Sequence, residues 1–239
     1  MGKGLHGGVL DRLGRRIAAG DLPAGTVLTL AGLEAELGVS RTVVREAVRV
    51  LEAVGMVTSR QRVGITVQPE HAWHALDPQV IQWRLAGPGR YRQLVELTEL
   101  RLAVEPTAAR LAARYADAPT RARLVELADR LHALGADEQA ASAAYLDADV
   151  AFHTVLLRAG GNPLLGMLGG AVTEVLAGRA ALGLMPEVPA EPSLDGHRAV
   201  ALAVAQGEED EAERQTRAVV EEVWRAVVAA ARRDGRPTR

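Results

Sequence analysis

The stretch GVSRTVVREAVRVLE at residues 38–52 decides how the N-terminal part of the chain folds. At the roughly 100° per residue of an α-helix, its arginines Arg41, Arg45 and Arg49 form one continuous arc. The neighbouring arc is apolar and consists of Val44, Ala47, Val48 and Leu51. The pattern predicts a helix, capped by Ser40, with one exposed basic side and one side packed on other helices.

The segments on both sides of this helix predict its neighbours. Residues 9–19 have helical apolar spacing and end at a turn that contains glycine and proline. Thr29 is placed to cap a second, short helix. Two short strands follow at residues 57–59 and 65–67, joined by a polar turn. Three helices followed by a β-hairpin predict a winged helix-turn-helix.

The remainder of the chain has helical spacing, with glycine and proline between the segments. The candidate helices cover residues 79–85, 91–115, 119–134, 138–159, 163–184, 194–206 and 208–233. The predicted fold is therefore mainly α: an N-terminal winged helix-turn-helix of three helices plus a β-hairpin, and a C-terminal seven-helix bundle. The predicted divisions are a disordered tail at 1–8, the winged helix-turn-helix at 9–68, a linker at 69–78 and the helical domain at 79–233.

The arginine arc has the chemistry of a DNA-reading surface. An arginine can bridge two acceptors of guanine in the major groove, whereas serine, threonine and helix N-termini bind phosphate. Residues 1–68 hold nine Lys or Arg against six Asp or Glu, and the remainder holds 19 against 24. The alternative is a solvated face whose arginines pair with Glu46 and Glu52. The predicted contacts with DNA are Ser40, Arg41, Thr42, Arg45 and Arg49 in the helix, and Arg60 and Arg62 in the wing.

This part of the chain resembles the winged helix-turn-helix of the GntR superfamily over almost all of residues 9–67. The resemblance implies that Arg41, Thr42 and Arg45 contact operator bases or phosphates. It also implies that Gly64 lets the wing approach the DNA. The chain departs from the pattern at Ala31, where many members carry an arginine that contacts DNA, and this departure leaves the operator preference open.

The helical part resembles the C-terminal domain of the FadR subfamily over roughly residues 79–233. The resemblance is carried by ELRLAVEP at 99–106, DVAFH at 149–153, GNPLL at 161–165 and GHRAV at 196–200. It implies a homodimer that binds a short palindromic operator and is released or repositioned by a small carboxylate effector. A symmetric dimer is also the geometric expectation for a single helix-turn-helix per chain.

Asp149 and His153 lie one helical turn apart, so they can chelate a divalent metal or form a simple carboxylate–imidazole hydrogen bond. In the FadR subfamily this pair joins two further histidines at a metal that binds the effector. His197 fits the first of them, but Val219 stands where the second is expected. The resemblance thus implies one divalent metal (zinc, nickel or manganese) on Asp149, His153 and His197. The alternative is a metal-free pocket in which Arg101, His153 and His197 bind the effector.

Arg101 lies within an apolar helix face and must find an anion there, because an unpaired buried charge is very costly. Its partner is either an internal carboxylate, Glu105 one turn further on or another, or the carboxylate of a ligand, and one guanidinium can serve both. Sugar acids such as gluconate or galactonate are the first candidate effectors, from a loose resemblance around LDP at 76–78 and WRL at 83–85.

Two other functions are alternatives to an effector-controlled regulator. An Asp–His–His cluster also occurs in metal-dependent enzymes, here one acting on a small hydroxy acid. The sequence has no phosphate loop, nucleophile elbow or dinucleotide motif, so no enzyme is expected. The other alternative is a DNA-bound scaffold that ignores small molecules. The absence of cysteine, of a signal peptide and of a long apolar run predicts a cytoplasmic protein without a membrane partner.

Overall fold

In the computed structural model, which describes residues 2–185 and 191–234, the arginine stretch forms a helix at Arg41–Ala53 (α3). It follows a long helix at Gly2–Ala19 (α1) and a short one at Leu30–Leu37 (α2). The hydroxyl of Thr29 accepts from the backbone N–H of Gly32 at 3.0 Å and caps α2 as predicted. Ser40 is the N-cap residue of α3 as predicted, and its carbonyl accepts from the backbone N–H of Val44 at 3.2 Å, but its side chain makes no capping hydrogen bond.

The wing is a three-stranded antiparallel sheet rather than a hairpin. Its strands are Val27–Leu28 (β1), Val57–Arg60 (β2) and Gly64–Val67 (β3), in the order β1-β3-β2. The sequence predicts β2 and β3 but not β1, because two residues are too few to show an alternating pattern. Gly64 has a φ of 111°, and a Cβ atom there would lie 2.7 Å from the carbonyl oxygen of Leu28. The pairing of β1 with β3 therefore requires glycine at this position.

The N-terminal helix is longer than its apolar spacing predicts. It begins at Gly2, although residues 1–8 were expected to form a disordered tail; Met1 lies outside the described residues. Once a helix is nucleated, each added residue gains a hydrogen bond, so α1 extends toward the N-terminus despite its glycines. Its last two turns pack Leu13 and Ile17 into the apolar core shared with α3.

Residues 69–85 belong to the first folded unit, and the predicted linker and domain boundary are corrected accordingly. The chain divides into Met1–Arg90 and Tyr91–Arg239. A 3₁₀ helix at Glu70–Ala72 is followed by Trp73, whose indole N–H donates to the carbonyl of Gln68 at 2.9 Å. The next helix, Pro78–Leu85 (α4), packs on α1 through Trp83, whose indole N–H donates to Asp11 at 2.9 Å. The spacing of apolar residues along the sequence does not predict these contacts of Trp73 and Trp83, because it does not show which segments pack together.

The second unit contains helices and connecting loops, and no strand, among the residues that the structure describes in it. Its helices are Arg90–Tyr115 (α5), Ala118–Ala136 (α6), Ala143–Ala159 (α7), Pro163–Gly166 (α8), Gly169–Ala181 (α9), Glu191–Gln206 (α10) and Glu209–Arg233 (α11). The mainly α fold with a winged helix-turn-helix and a helical domain is confirmed. The seven helices are not the predicted seven, since α4 belongs to the first unit and the predicted helix at 163–184 is divided into α8 and α9.

Among the described residues, one helical segment is long and apolar enough to cross a membrane by length and composition alone. Pro163–Ala181 has a mean hydropathy of 1.2 over its most apolar window. The segment consists of α8 and α9, with Met167 and Leu168 between them. Its residues Val172 and Leu176 are buried against Ala108 and Leu157. Burial of these two side chains among apolar residues of other helices shows that this part of the segment packs within the unit.

Candidate functional site

The arginine arc of α3 is exposed over its whole length. Arg41, Thr42, Arg45 and Arg49 are exposed, whereas the apolar arc of the same helix is buried as the spacing predicts. Ser40 is also exposed, with its hydroxyl unused by the helix cap. The fold therefore leaves one continuous basic surface on this helix, of the kind that enters a major groove.

The acidic neighbours of the arc leave most of this surface accessible. Arg49 pairs with Glu46 at 2.8 Å, and Arg41 lies 3.9 Å from Glu34. Glu52 instead accepts from the backbone N–H of Ser59 at 2.5 Å and holds the start of the wing. No ion pair to Arg45 is found among the described residues. Exposed ion pairs contribute only about 0–1 kcal/mol, so the two pairs offer little competition to phosphate.

The turn of the wing carries exposed Arg60 and Arg62. Arg62 has a φ of 67°, in the left-handed region that side chains other than glycine rarely adopt. Gly64 is required by the approach of β1, as described above, so its presence does not itself indicate DNA contact. The roles of these wing residues toward DNA stay predictions.

In the second unit, Asp149, His153 and His197 converge on one point. Asp149 and His153 lie one turn apart on α7, and His197 is supplied by α10. Asp149 Oδ1 lies 3.2 Å from His153 Nε2 and 3.3 Å from His197 Nε2, and the two Nε2 atoms are 3.4 Å apart. All three residues are buried. Although both imidazoles face Oδ1, this oxygen has no hydrogen bond of normal geometry among the described residues.

The carboxylate of Glu105 on α5 fixes the other face of His153. Its Oε2 lies 3.0 Å from His153 Nδ1, close enough to accept a hydrogen bond from that nitrogen and so fix the orientation of the ring. Burial by itself would raise the pKa of Glu105, but the charges of Arg101 and His153 outweigh it and hold that pKa at about 2. Glu105 is therefore a permanent anion that orients the imidazole.

Arg101 is fully buried and bound to the same carboxylate. Its Nε and Nη2 donate to the two oxygens of Glu105 at 2.6 and 3.2 Å, and Nη2 also lies 3.1 Å from His153 Nε2. Its Nη1 has no hydrogen-bond partner among the described residues. The internal partner expected for this arginine is thus Glu105, and one N–H group remains unused.

The cluster borders a cavity of about 560 Å³, within the usual size range of small-molecule sites. Asp149, His153, His197 and Arg101 form its polar end. The remaining wall is supplied largely by the segment after α9 and by α11, and consists of Ala140, Tyr145, Arg179, Gly183, Leu184, Met185, Val219, Glu222, Val223, Ala226, Ala229 and Arg233.

Comparisons with known proteins agree with both halves of this arrangement. The family model described as "Bacterial regulatory proteins, gntR family" matches residues 5–67, and that of the FCD domain matches residues 96–222. The chain belongs to the GntR family. The transcriptional regulator YieP of Escherichia coli K12 is 33% identical to this GntR-family chain over 164 residues, covering 68% of this chain and 70% of YieP. All matched families and relatives are transcription regulators rather than enzymes, as the sequence predicts.

Two more comparisons place this GntR-family protein among its relatives. The galactonate operon transcriptional repressor of Escherichia coli K12 is 30% identical over 168 residues, which cover 70% of this chain and 72% of the repressor. The solved structure of Streptococcus agalactiae GntR shares the fold with a TM-score of 0.52 at 22% identity, covering 92% of this chain and 99% of that chain.

The FCD domain of this GntR-family chain also contains site residues that the sequence did not single out. Glu105 was expected as a partner of Arg101 but not of His153. The sequence patterns do not indicate a role for Arg179, Tyr145 or Glu222, although all three line the cavity. Arg179 gives the same signal as Arg101, an arginine within an apolar helical segment. Val219 lines the cavity, in agreement with the place that the resemblance gives it, and adds no metal-binding atom.

Proposed function

We propose that this protein is a regulator of the FadR subfamily, acting in the cytoplasm, that represses by binding a short palindromic operator as a homodimer. A small carboxylate, with sugar acids as the leading class, binds in the cavity beside Asp149, His153 and His197 and releases the DNA. The observation that carries the proposal is this buried donor cluster at the end of a ligand-sized cavity. It lies in a chain whose other unit presents an exposed arginine arc.

On the DNA side, Arg45 is the principal base-reading candidate. It lies at the centre of the arc, exposed and without an ion pair among the described residues, whereas Arg41 and Arg49 each have a nearby carboxylate. The exposed hydroxyls of Ser40 and Thr42 at the start of α3 suit phosphate contacts that position the helix. Arg60 and Arg62 in the wing suit contacts with the backbone or the minor groove.

Replacement of Arg45 by alanine is expected to weaken operator binding by ~1–3 kcal/mol, because it removes a bidentate groove contact. The duplex is selected from a random-sequence pool with the wild-type protein, and affinity is measured by fluorescence anisotropy. Arg49→Ala should cost less, since Arg49 pairs with Glu46. Arg225→Ala, an exposed arginine on α11, serves as the control with unchanged affinity. Unchanged affinity in Arg45→Ala would remove this residue from the proposed reading face.

On the ligand side, the donor cluster fits a divalent metal. Ligand atoms held about 2.0–2.1 Å from one metal ion lie about 2.8–3.0 Å from one another at octahedral angles and about 3.3–3.4 Å at tetrahedral angles. The three donor atoms of Asp149, His153 and His197 are separated by 3.2–3.4 Å. The buried Asp149 Oδ1 without a hydrogen bond and the oriented imidazole of His153 agree with such an ion. Zinc, nickel or manganese would suit this set of nitrogen and oxygen donors.

A bound metal would supply Lewis acidity that draws the oxygens of a carboxylate or hydroxyl group to this end of the cavity. The chain's own residues would then orient the effector. The unused Nη1 of Arg101 is available to donate to the effector carboxylate while Glu105 holds the rest of the guanidinium. The name of the galactonate operon repressor supports sugar acids as the first effectors to test.

A further inference from the structure

A second buried arginine borders the same cavity from a different helix. Arg179 lies on α9 and is only 7% exposed. Its Nε atom has no hydrogen-bond partner among the described residues. Desolvation by burial lowers the pKa of Arg179 to about 10, so the guanidinium keeps its charge at neutral pH. A buried cation without a bound anion is costly, and it therefore marks a place where a ligand anion would be stabilised.

The two cavity arginines differ in how much of their charge is already neutralised. Arg101 shares a two-pronged ion pair with Glu105, which leaves one N–H group for a ligand. Arg179 lies in the longer-range fields of Asp149, Arg101, Tyr145 and Glu222, and its Nε has no hydrogen-bond partner among the described residues. Tyr145 is neutral at physiological pH, because burial raises the pKa of its hydroxyl. Arg179 is consequently the less compensated cation of the two.

The other charged residues that line the cavity add little to its net charge. Glu222 and Arg233 both line it and carry opposite charges. The rest of the wall near α11 is formed by small apolar side chains such as Val219, Val223 and Ala226. Anionic groups of a ligand are therefore favoured at two places: at the cluster end beside Arg101, and at Arg179.

We propose that Arg179 is a second anion-binding residue, which selects effectors with two anionic groups, such as small dicarboxylates and the diacids of sugars. One carboxylate binds at the Asp149–His153–His197 end beside Arg101, and the other binds the guanidinium of Arg179. The inference rests on the proposed function and narrows its effector class. The proposed site with two carboxylates differs from a site for a monocarboxylate, in which one carboxylate would contact both Arg101 and Arg179.

The test compares two pairs of acids that differ only in the second carboxylate: galactarate against galactonate, and malate against 3-hydroxybutyrate. Affinity for the full-length protein as purified is measured by isothermal titration calorimetry. The wild-type protein is expected to bind the diacid of a pair at least about tenfold more tightly, as one charge-assisted hydrogen bond provides. Arg179→Met should reduce the ratio of the diacid affinity to the monoacid affinity to about one, mainly because the diacid binds more weakly. Arg179→Lys should retain part of the preference for the diacid.

Arg225→Met is the matched control and should keep the wild-type ratio. A wild-type ratio near one overturns the inference by itself, so the test does not depend on the stability of the variants. A loss in Arg179→Met that is equal for monoacid and diacid also overturns it, because that pattern indicates one shared carboxylate. Tight monoacid binding without a diacid preference leaves the proposed function standing. If none of the four acids binds the wild-type protein, both the proposed effector site and the proposed role of Arg179 are wrong.

Discussion

Replacement of His153 by alanine is expected to abolish metal binding, whereas the wild-type protein should contain about one divalent metal ion per chain. Three donor atoms of three buried residues meet at 3.2–3.4 Å, and His153 occupies the centre of the arrangement between Asp149, His197 and Glu105. Loss of an outer contact to a metal ligand typically costs 10–100-fold in affinity, so loss of the ligand itself should exceed ~100-fold. Elemental analysis after purification without an affinity metal or chelator measures this directly.

His132→Ala is the matched control for this experiment. His132 is also a histidine of the second unit with a carboxylate neighbour, Asp195 at 3.3 Å, but it lies on α6 outside the cluster. The control should retain the full metal content. Wild-type protein free of metal would contradict the prediction. The alternative would then stand, in which Arg101, His153 and His197 bind the effector anion without a metal.

Replacement of Arg101 by methionine is expected to lower the free energy of unfolding by ~3–5 kcal/mol. The pair with Glu105 is almost completely inaccessible to solvent, and removal of one partner leaves a buried carboxylate without its counter-charge. Glu105 would then remain ionised without its counter-charge or take up a proton, and either outcome costs free energy because the charge of Arg101 is a main cause of the low pKa of Glu105 in the wild-type protein. Urea-induced unfolding followed by circular dichroism provides the measurement.

The double variant Arg101→Met/Glu105→Gln separates this mechanism from simple loss of packing. Glutamine removes the charge but keeps an oxygen that can accept from His153 Nδ1, so we expect the double variant to recover at least ~1.5 kcal/mol. Arg225→Met provides the exposed comparison, since Arg225 and Glu221 have the same i,i+4 spacing at the surface. Arg225→Met should lower the free energy of unfolding by less than ~1 kcal/mol. A double variant as unstable as the single one would show that the volume of Arg101, rather than its charge, is what matters.

The local patterns of the sequence predict the DNA-reading unit well. The two arcs of α3 are set by residues within one helix, so their burial and exposure follow from periodicity alone. Ser142 likewise explains why α7 begins at Ala143 and not at residue 138, because its hydroxyl accepts from the N–H of Tyr145 at 3.1 Å. That signal was present in the sequence and was missed. Strand β1 was too short to leave any such signal.

Contacts between distant parts of the chain account for most of what the sequence did not predict. The spacing of α4 identifies a helix but not its partner, and the contact of Trp83 with Asp11 joins residues 72 positions apart. The same holds for Glu105 and His153, which come from α5 and α7. Asp149 and His153 were predictable as a pair because a helical turn brings them together, whereas the meeting of His197 with them was implied by resemblance. Arg179 could have been found by the argument applied to Arg101.

The central claim, that a small acid in the cavity controls operator binding, is tested most directly by fluorescence anisotropy of the selected operator duplex during titration with galactonate and galactarate. The account predicts that wild-type protein binds the duplex without acid and that anisotropy falls toward the value of free DNA as acid is added. His132→Ala should respond like the wild-type protein, and His153→Ala should bind DNA without responding. Operator binding that is indifferent to both acids and to the other small carboxylates would contradict the account, and would favour a DNA-bound scaffold without an effector.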